Sequence, residues 1–421
     1  MSLNQLQTII YPTVCENSIH KMILSEGTLE EITDYKIILN DSSSKKGDSY
    51  LSTICRFSIT ASGKNQKGTH KEVYIPVIVK YFPKNIARRK TFRSVDFFKT
   101  EIYFYEQIWP EMKKFKQSKI PDEIDEVPLH LYSWIDGKHD FIALKDLSYD
   151  GFKASGRDES FSVGTVCSFL ELLAKFHALS LALKQSDPNF AKKAAKLEES
   201  YFSEKFECWY KNFMYNSMGP HYQKATKNLL PEMYFEKITN FFKRDLYGDV
   251  CKACRVGNKY SCVTEGDCWL PNFLSKMNEG KLVAVLIDFQ LARYSTFTND
   301  LIHFLYSGVP SDMLLKEWDN LVAHYHRSLC SRIEELGGGK NFITLYELQE
   351  CMQKHALVGV VMALESSLMA LLNDDEVADI DFLEGEDAVP LEDVWILPEF
   401  QKDRNEKLAF LVKHCVDKGF I

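Results

Sequence analysis

No run of apolar residues in this 421-residue chain reads as long enough to cross a bilayer. The longest, Ala356 to Leu364, lies between His355 and Glu365 and reads as a buried helix. The first residues, Met1-Ser2-Leu3-Asn4-Gln5, lack a basic segment ahead of an apolar core, so no secretory signal is expected. There is no excess of basic charge: 51 Lys and Arg stand against 59 Asp and Glu, a formal charge of −8. That balance argues against a general nucleic-acid binder. Internal repeats and low-complexity tracts are also missing. The eleven cysteines are odd in number and scattered, which fits free thiols in a reducing, cytoplasmic setting. Cys251-Lys252-Ala253-Cys254, with Cys262 and Cys268, is the nearest approach to a zinc pattern, but its spacing is irregular and no zinc is expected.

What is present is a polar constellation around a short hairpin. Glu265-Gly266-Asp267-Cys268-Trp269-Leu270-Pro271-Asn272 is followed by two apolar runs, Phe273-Leu274 and Leu282 to Ile287. The turn signal Asn278-Glu279-Gly280 between them predicts a β-hairpin that returns Asn272 to the side of Asp288. An Asp, an Asn five residues on and a second Asp at a strand end are what phosphoryl transfer from ATP needs. One carboxylate takes the hydroxyl proton; the Asn and the other carboxylate hold Mg²⁺.

Upstream, Leu51, Thr53, Cys55, Phe57 and Ile59 alternate with mostly polar residues, as in a half-buried strand. Gly47-Asp48-Ser49-Tyr50 before it is a candidate loop over phosphates, and Ala61-Ser62-Gly63-Lys64-Asn65 after it reads as a turn. Lys80 ends the apolar run of Tyr74 to Tyr81. An ammonium there needs a partner. Glu101 answers: it shares a helical face with Phe97, Phe104 and Ile108 within Val95 to Trp109. Each charge accounts for the other, as in the strand-Lys to helix-Glu pair that positions ATP in kinases.

With these pieces the chain resembles the ecdysteroid kinase-like (CHK kinase-like) family, relatives of choline kinase and aminoglycoside phosphotransferase. The matching residues are Gly47 to Ser52, Val77 to Lys80, Phe97 to Tyr105, Leu144-Lys145-Asp146-Leu147, Gly151-Phe152, Ala174 to Ala178, Gly266-Asp267 to Asn272, Asp288-Phe289-Gln290, Asp300-Leu301 and Phe304-Leu305. The resemblance implies an α+β, bilobal, protein-kinase-like fold. Residues 1–143 would form an N-lobe with an antiparallel sheet and the Glu101 helix, 144–148 a hinge, and 149–421 a larger, mainly helical C-lobe. It implies ATP and Mg²⁺ as cofactors. Gly47, Ser49, Lys80, Leu144, Asp146 and Leu147 would contact the nucleotide, with Glu101 holding Lys80. Asn272 and Asp288 would bind the metal, and Asp267 would act as the base. Two positions depart from the family pattern: Glu265 stands where His is usual, and Lys145 where an acidic residue is frequent.

The acceptor is expected to be a small molecule. Only Leu291 to Asn299 separates Asp288-Phe289-Gln290 from Asp300, which leaves no room for a protein kinase's activation segment. A steroid-like hydroxyl is the acceptor the resemblance suggests. No nucleic acid, membrane or obligate protein partner is expected. Asn373 to Asp387 carries eight Asp/Glu. It reads as a solvated loop, or alternatively as a rim for the cationic acceptor of a choline- or aminoglycoside-type kinase. A non-catalytic, nucleotide-binding pseudokinase is the rival from another class, supported by Glu265. Asp300 is expected to anchor the catalytic loop or the helix that follows. His177, on a helix traced by Val166, Phe169, Leu170, Leu173 and Phe176, reads as a core histidine. The aromatic segment Tyr201 to Tyr247 reads as helical core with a few rings for an acceptor pocket. Lys84, Arg88, Arg89, Lys90 and Arg93 read as a solvated loop that could also draw in ATP.

Overall fold

The structure, a computed structural model, describes residues 3–40, 51–121, 123–156, 161–255 and 257–421. Gly47 and Ser49 therefore lie outside the described residues. Two compact units emerge. The first comprises Met1–Tyr105, Val127–Lys153 and Asp379–Val389; the second comprises Glu106–Glu126, Ala154–Ala378 and Pro390–Ile421. This differs from the contiguous division at 143 and 149. Residues 106–126 group with the later chain, which shares the carboxylates that surround Lys116, a side chain only 1% exposed. Its Nζ donates to Glu126 Oε2 at 2.9 Å and to Ile124 O at 2.7 Å, and Glu126 in turn lies 3.6 Å from Arg332.

The first unit is built on a five-stranded antiparallel sheet: β1 (Glu31–Leu39), β2 (Thr53–Lys64), β3 (His70–Tyr81), β4 (His130–Trp134) and β5 (Phe141–Lys145), in the order β1-β2-β3-β5-β4. Alternation decides its faces. Cys55, Phe57 and Ile59 of β2 and Ile75, Val77 and Val79 of β3 form one core with Leu6 of helix α1 (Leu3–Ile9) and Ile19, Met22 and Ile23 of α2 (Glu16–Ser25). The register Ile54↔Lys80↔Ile142 and Arg56↔Ile78↔Leu144 puts the intervening residues on the opposite face. The turn expected at Ala61–Asn65 comes later. β2 keeps pairing with β1 as far as Lys64, and the chain reverses where Asn65 O accepts from Gly68 N–H at 2.8 Å. Next come α3 (Ile86–Thr91) and α4 (Ser94–Tyr103), the latter leading through a π-helical turn, Phe104–Ile108, into α5 (Trp109–Lys119). Pro110 in the first turn of α5 has no N–H to donate back to the preceding turn, and the widened turn lies just ahead of it.

The second unit is mainly helical. Its central helix, α6 (Val163–Ser186), begins where the Ser162 hydroxyl accepts from Thr165 N–H at 3.2 Å and stops at Asp187-Pro188, as the breaker residues predict. Among the described residues α6 alone is long and apolar enough to cross a membrane, which corrects the reading that no run qualifies. Most of that apolar stretch, 78%, is buried inside the unit, as expected of a core helix. The predicted hairpin is present as strands Phe273–Asn278 and Lys281–Leu286. Its turn residues, Glu279 (φ +49°) and Gly280 (φ +79°), both take the positive φ that suits a two-residue turn to the strands' twist.

Candidate active site

In the first unit, Lys80 Nζ lies 2.9 Å from Glu101 Oε1. Glu101 is fully buried and Lys80 only 8% exposed, so the pairing predicted from two lone charges on apolar elements is formed. Lys80 shares its sheet face with Ile54, Arg56, Ile78, Ile142 and Leu144 through the register above. Leu144, Asp146 and Leu147 follow in and after β5. Asp146 N–H donates to Pro76 O at 2.9 Å, and its carboxylate accepts from Arg56 Nε at 3.2 Å and from Ser148 N–H at 3.0 Å. Asn40, Arg56, Asp146, Ser148 and Tyr149 line a cavity of about 260 Å³. The departing residue Lys145 is paired with Asp150 at 2.9 Å.

In the second unit, Asp267, Asn272 and Asp288 come together as the spacing predicts. Ile287 N–H donates to Asn272 O at 3.0 Å, which fastens the residue before Asp288 to the residue that opens the hairpin. Asn272 Nδ2 donates to Asp267 O at 2.9 Å, and it lies 3.4 Å from Asp267 Oδ2 and 3.3 Å from Glu265 Oε1. Three oxygens around the amide nitrogen leave Oδ1 as the face able to ligate a cation. Asp288 adopts φ +66°, ψ +62°, a left-handed conformation that few non-glycine residues take and that clusters at functional sites. Gly266 (φ +90°) cannot be replaced without rearrangement, because an added Cβ would sit 1.9 Å from Leu291 O.

Glu265 has a structural task that the sequence did not reveal. It is fully buried, and besides meeting Asn272 its carboxylate accepts from Asp267 N–H at 2.9 Å. It therefore braces both Asp267 and Asn272. Asp300 anchors the same loop from the other side, accepting from Glu265 N–H at 2.7 Å and Gly266 N–H at 3.2 Å. His177, buried as expected, holds Asp300 in turn. Its Nε2 lies 3.2 Å from Asp300 Oδ2 and its Nδ1 2.7 Å from the Tyr325 hydroxyl.

The electrostatics divide these carboxylates. Burial pushes Asp267 up to about 8, with Asp288 and Glu365 adding to the rise and Arg293 and Asn272 opposing it. Burial, with Asp267 and Asp300 nearby, drives Glu265 well above the usual carboxylate range. Burial would raise Asp300 too, but the His177 hydrogen bond and charge and the Glu265 N–H hold it below its ordinary value. Glu365 was not foreseen. It interrupts the apolar helix Leu357–Ala370, and both its oxygens are occupied: Tyr201 donates to Oε1 at 2.6 Å and Tyr210 to Oε2. Its only sequence signal was a lone carboxylate on an apolar helix, the same signal that identified Glu101. Arg293, 4% exposed, pairs with Glu199 at 2.8 Å and supplies the buried positive charge of this region.

Among the described residues no group of three or more His, Cys, Asp or Glu is arranged to hold a metal ion. The donors Asn272 Oδ1 and Asp288 suit a hard cation that takes its remaining ligands from phosphates and water, which is how Mg²⁺ is usually held.

No curated protein is similar enough to this chain to count as a match. Among solved structures, it is similar to a microcompartment-associated aminopropanol kinase, with 11% identity and a TM-score of 0.42, over 96% of this chain and 99% of the other. It is also similar to an ethanolamine kinase of Plasmodium vivax, with 10% identity and a TM-score of 0.36, over 92% and 84% of the two chains. A third is an aminoglycoside phosphotransferase of Streptomyces rimosus in complex with ADP and streptomycin, with 10% identity and a TM-score of 0.30, over 73% and 89%. The ecdysteroid kinase-like family profile matches residues 46–338. On that match, which spans Lys80, Glu101, Asp267, Asn272 and Asp288 alike, the chain belongs to the ecdysteroid kinase-like family.

Proposed function

We propose that this protein transfers the γ-phosphate of ATP to a hydroxyl group of a small molecule, with a steroid-like alcohol as the acceptor. The observation that carries this reading is the braced Glu265–Asp267–Asn272 set fastened beside Asp288. A base and two oxygen ligands are held there by groups that leave them little freedom, and phosphoryl transfer depends chiefly on such positioning. Lys80, oriented by Glu101, binds the α- and β-phosphates. Leu144, Asp146 and Leu147 frame the base, and the family resemblance assigns phosphate contacts to Gly47 and Ser49, which lie outside the described residues. Asn272 and Asp288 would hold Mg²⁺, which when bound neutralises phosphate charge. Asp267 orients the acceptor hydroxyl and takes its proton, a role that burial and neighbouring carboxylates favour by raising its proton affinity.

The steroid-like acceptor rests on the family and on the aromatic side chains near Glu365. Tyr201 packs edge-on against Trp209 at 5.0 Å, and Tyr210 lies 5.9 Å from Phe213. The test is incubation with labelled ATP and a panel of steroid, choline-like and aminoglycoside alcohols, with Asp267→Asn beside wild type. Asp267→Asn should bind ATP yet lose on the order of 10²–10⁴ in rate. Transfer by the variant within about threefold of wild type, far inside that range, would remove Asp267 as the base. ATP binding by wild type without transfer to any acceptor would favour the pseudokinase.

A further inference from the structure

Five cations lie between Lys84 and Arg93, and the proposed reaction uses none of them. They do not form a solvated loop. Residues 86–91 are helix α3, and Arg88 is 5% exposed. Asn85, Arg88 and Thr91 recur at the three-residue spacing that lines one helix face, and all three engage the segment Asp379–Val389. Asn85 Nδ2 donates to Asp381 O at 3.2 Å and to Leu383 O at 2.8 Å. Arg88 Nη1 donates to Asp381 Oδ1 at 2.6 Å. Thr91 Oγ1 accepts from Val389 N–H at 2.8 Å. The later part of the acidic stretch is thus fastened to one short helix, through Asp381 and Leu383 and again through Val389, while Asp374, Asp375, Glu384, Glu386 and Asp387 stay exposed. Its chain leaves the second unit at Ala378 and rejoins it at Pro390.

The same guanidinium reaches a second target. Arg88 Nη2 donates to Ser52 O at 2.8 Å, and Ser94 Oγ of α4 donates to Leu51 O at 2.8 Å. Leu51 and Ser52 follow Gly47 and Ser49 in sequence and lead directly into β2, where Ile54 pairs with Lys80. A guanidinium is a rigid planar fork, so the partner on one arm fixes where the other arm points. Asp381, whose side chain is 74% exposed, orients the fork; Ser52 is what the fork holds.

We propose that Arg88 is a positioning residue for the nucleotide. Clamped by Asp381 of the 379–389 segment, it sets the Leu51–Ser52 backbone that leads into β2, the strand paired with β3 at Lys80. This rests on the ATP-dependent reading above.

The test uses the full chain and four variants: Asp381→Asn, Asp381→Glu, Arg88→Lys and Glu386→Gln, the last an exposed carboxylate of the same segment serving as control. Thermal melting, calorimetric ATP affinity, and KM for ATP and acceptor are measured. Because an amide oxygen can still accept from the buried Arg88 guanidinium, Asp381→Asn should lower the melting temperature by no more than a few degrees. It should weaken ATP binding and raise KM for ATP by roughly three- to tenfold, as a charge-assisted hydrogen bond becomes a neutral one. The kcat and acceptor KM should not move. Arg88→Lys, which keeps the charge without the fork, should behave likewise; Asp381→Glu should restore much of the loss; Glu386→Gln should match wild type. Wild-type ATP affinity in both Asp381→Asn and Arg88→Lys, or a fall in kcat and melting temperature with KM for ATP unchanged, would overturn the proposal and leave the kinase reading standing. A wild type that binds no ATP would overturn both.

Discussion

Glu365→Gln separates titration from shape at the carboxyl beside the candidate base. The substitution keeps the side chain's size and an oxygen for one tyrosine, while removing the ability to ionise. Burial lifts the folded-state value from 4.5 to about 7, against the opposing hydrogen bonds from Tyr201 and Tyr210. Each tenfold change in proton affinity is worth about 1.4 kcal/mol, so this carboxyl carries about 3 kcal/mol of pH-dependent stability. Below 4.5 it is protonated whether the chain is folded or not, and its contribution is fully present. Between 4.5 and about 7 the unfolded chain has already lost the proton that the folded chain keeps. Unfolding then releases a proton, and stability falls as pH rises. Above about 7 both states are ionised and the loss is complete. Urea unfolding of wild type and Glu365→Gln across this range should show wild type losing about 3 kcal/mol relative to the variant. A difference that stays flat across the range would refute a raised Glu365 and the argument that burial dominates there. A difference that grows in favour of wild type would reverse its sign.

Three further outcomes are expected. Lys80→Met and Glu101→Leu should each cost about 3–5 kcal/mol by removing one partner of a buried ion pair, and the double variant should cost less than their sum. Additivity within about half a kcal/mol in chemical denaturation would mean the two charges do not interact. Glu265→Ala should cost about 1–3 kcal/mol, because the Asp267 N–H and the Asn272 amide lose their acceptor, and it should slow turnover. An unchanged melt and rate would show that the brace is dispensable. Asp288→Ala should abolish the Mg²⁺ dependence of ATP-induced thermal stabilisation, whereas a shift that responds to Mg²⁺ as wild type does would remove Asp288 as a ligand.

The elements that sequence made legible are those whose cause is local. A lone Lys at the end of an apolar strand and a lone Glu on an apolar helix face predict each other, and Lys80 and Glu101 meet. The Asn278-Glu279-Gly280 turn fixes the hairpin, and the hairpin brings Asn272 alongside the residue before Asp288. Ser162 and Asp187-Pro188 mark the ends of α6. Each is a matter of period, turn chemistry or capping, which act over a few residues.

Tertiary structure alone decided what those elements are held by. Glu265 looked like a departure, and the folded loop makes it the acceptor that fixes Asp267 and Asn272. Asp300 reaches that loop with His177 behind it, 123 positions away in the chain, and Glu365 takes hydroxyls from residues 164 and 155 positions away. The acidic residues after Asn373 looked like solvent-facing charge, yet Asp381 clamps a buried arginine 293 positions away. Nor did spacing predict the left-handed backbone of Asp288. Sequence periodicity tells which side chains leave water; it does not tell which distant partner satisfies a charge once it is buried, because the cost of burial is met only after the chain has brought the two together.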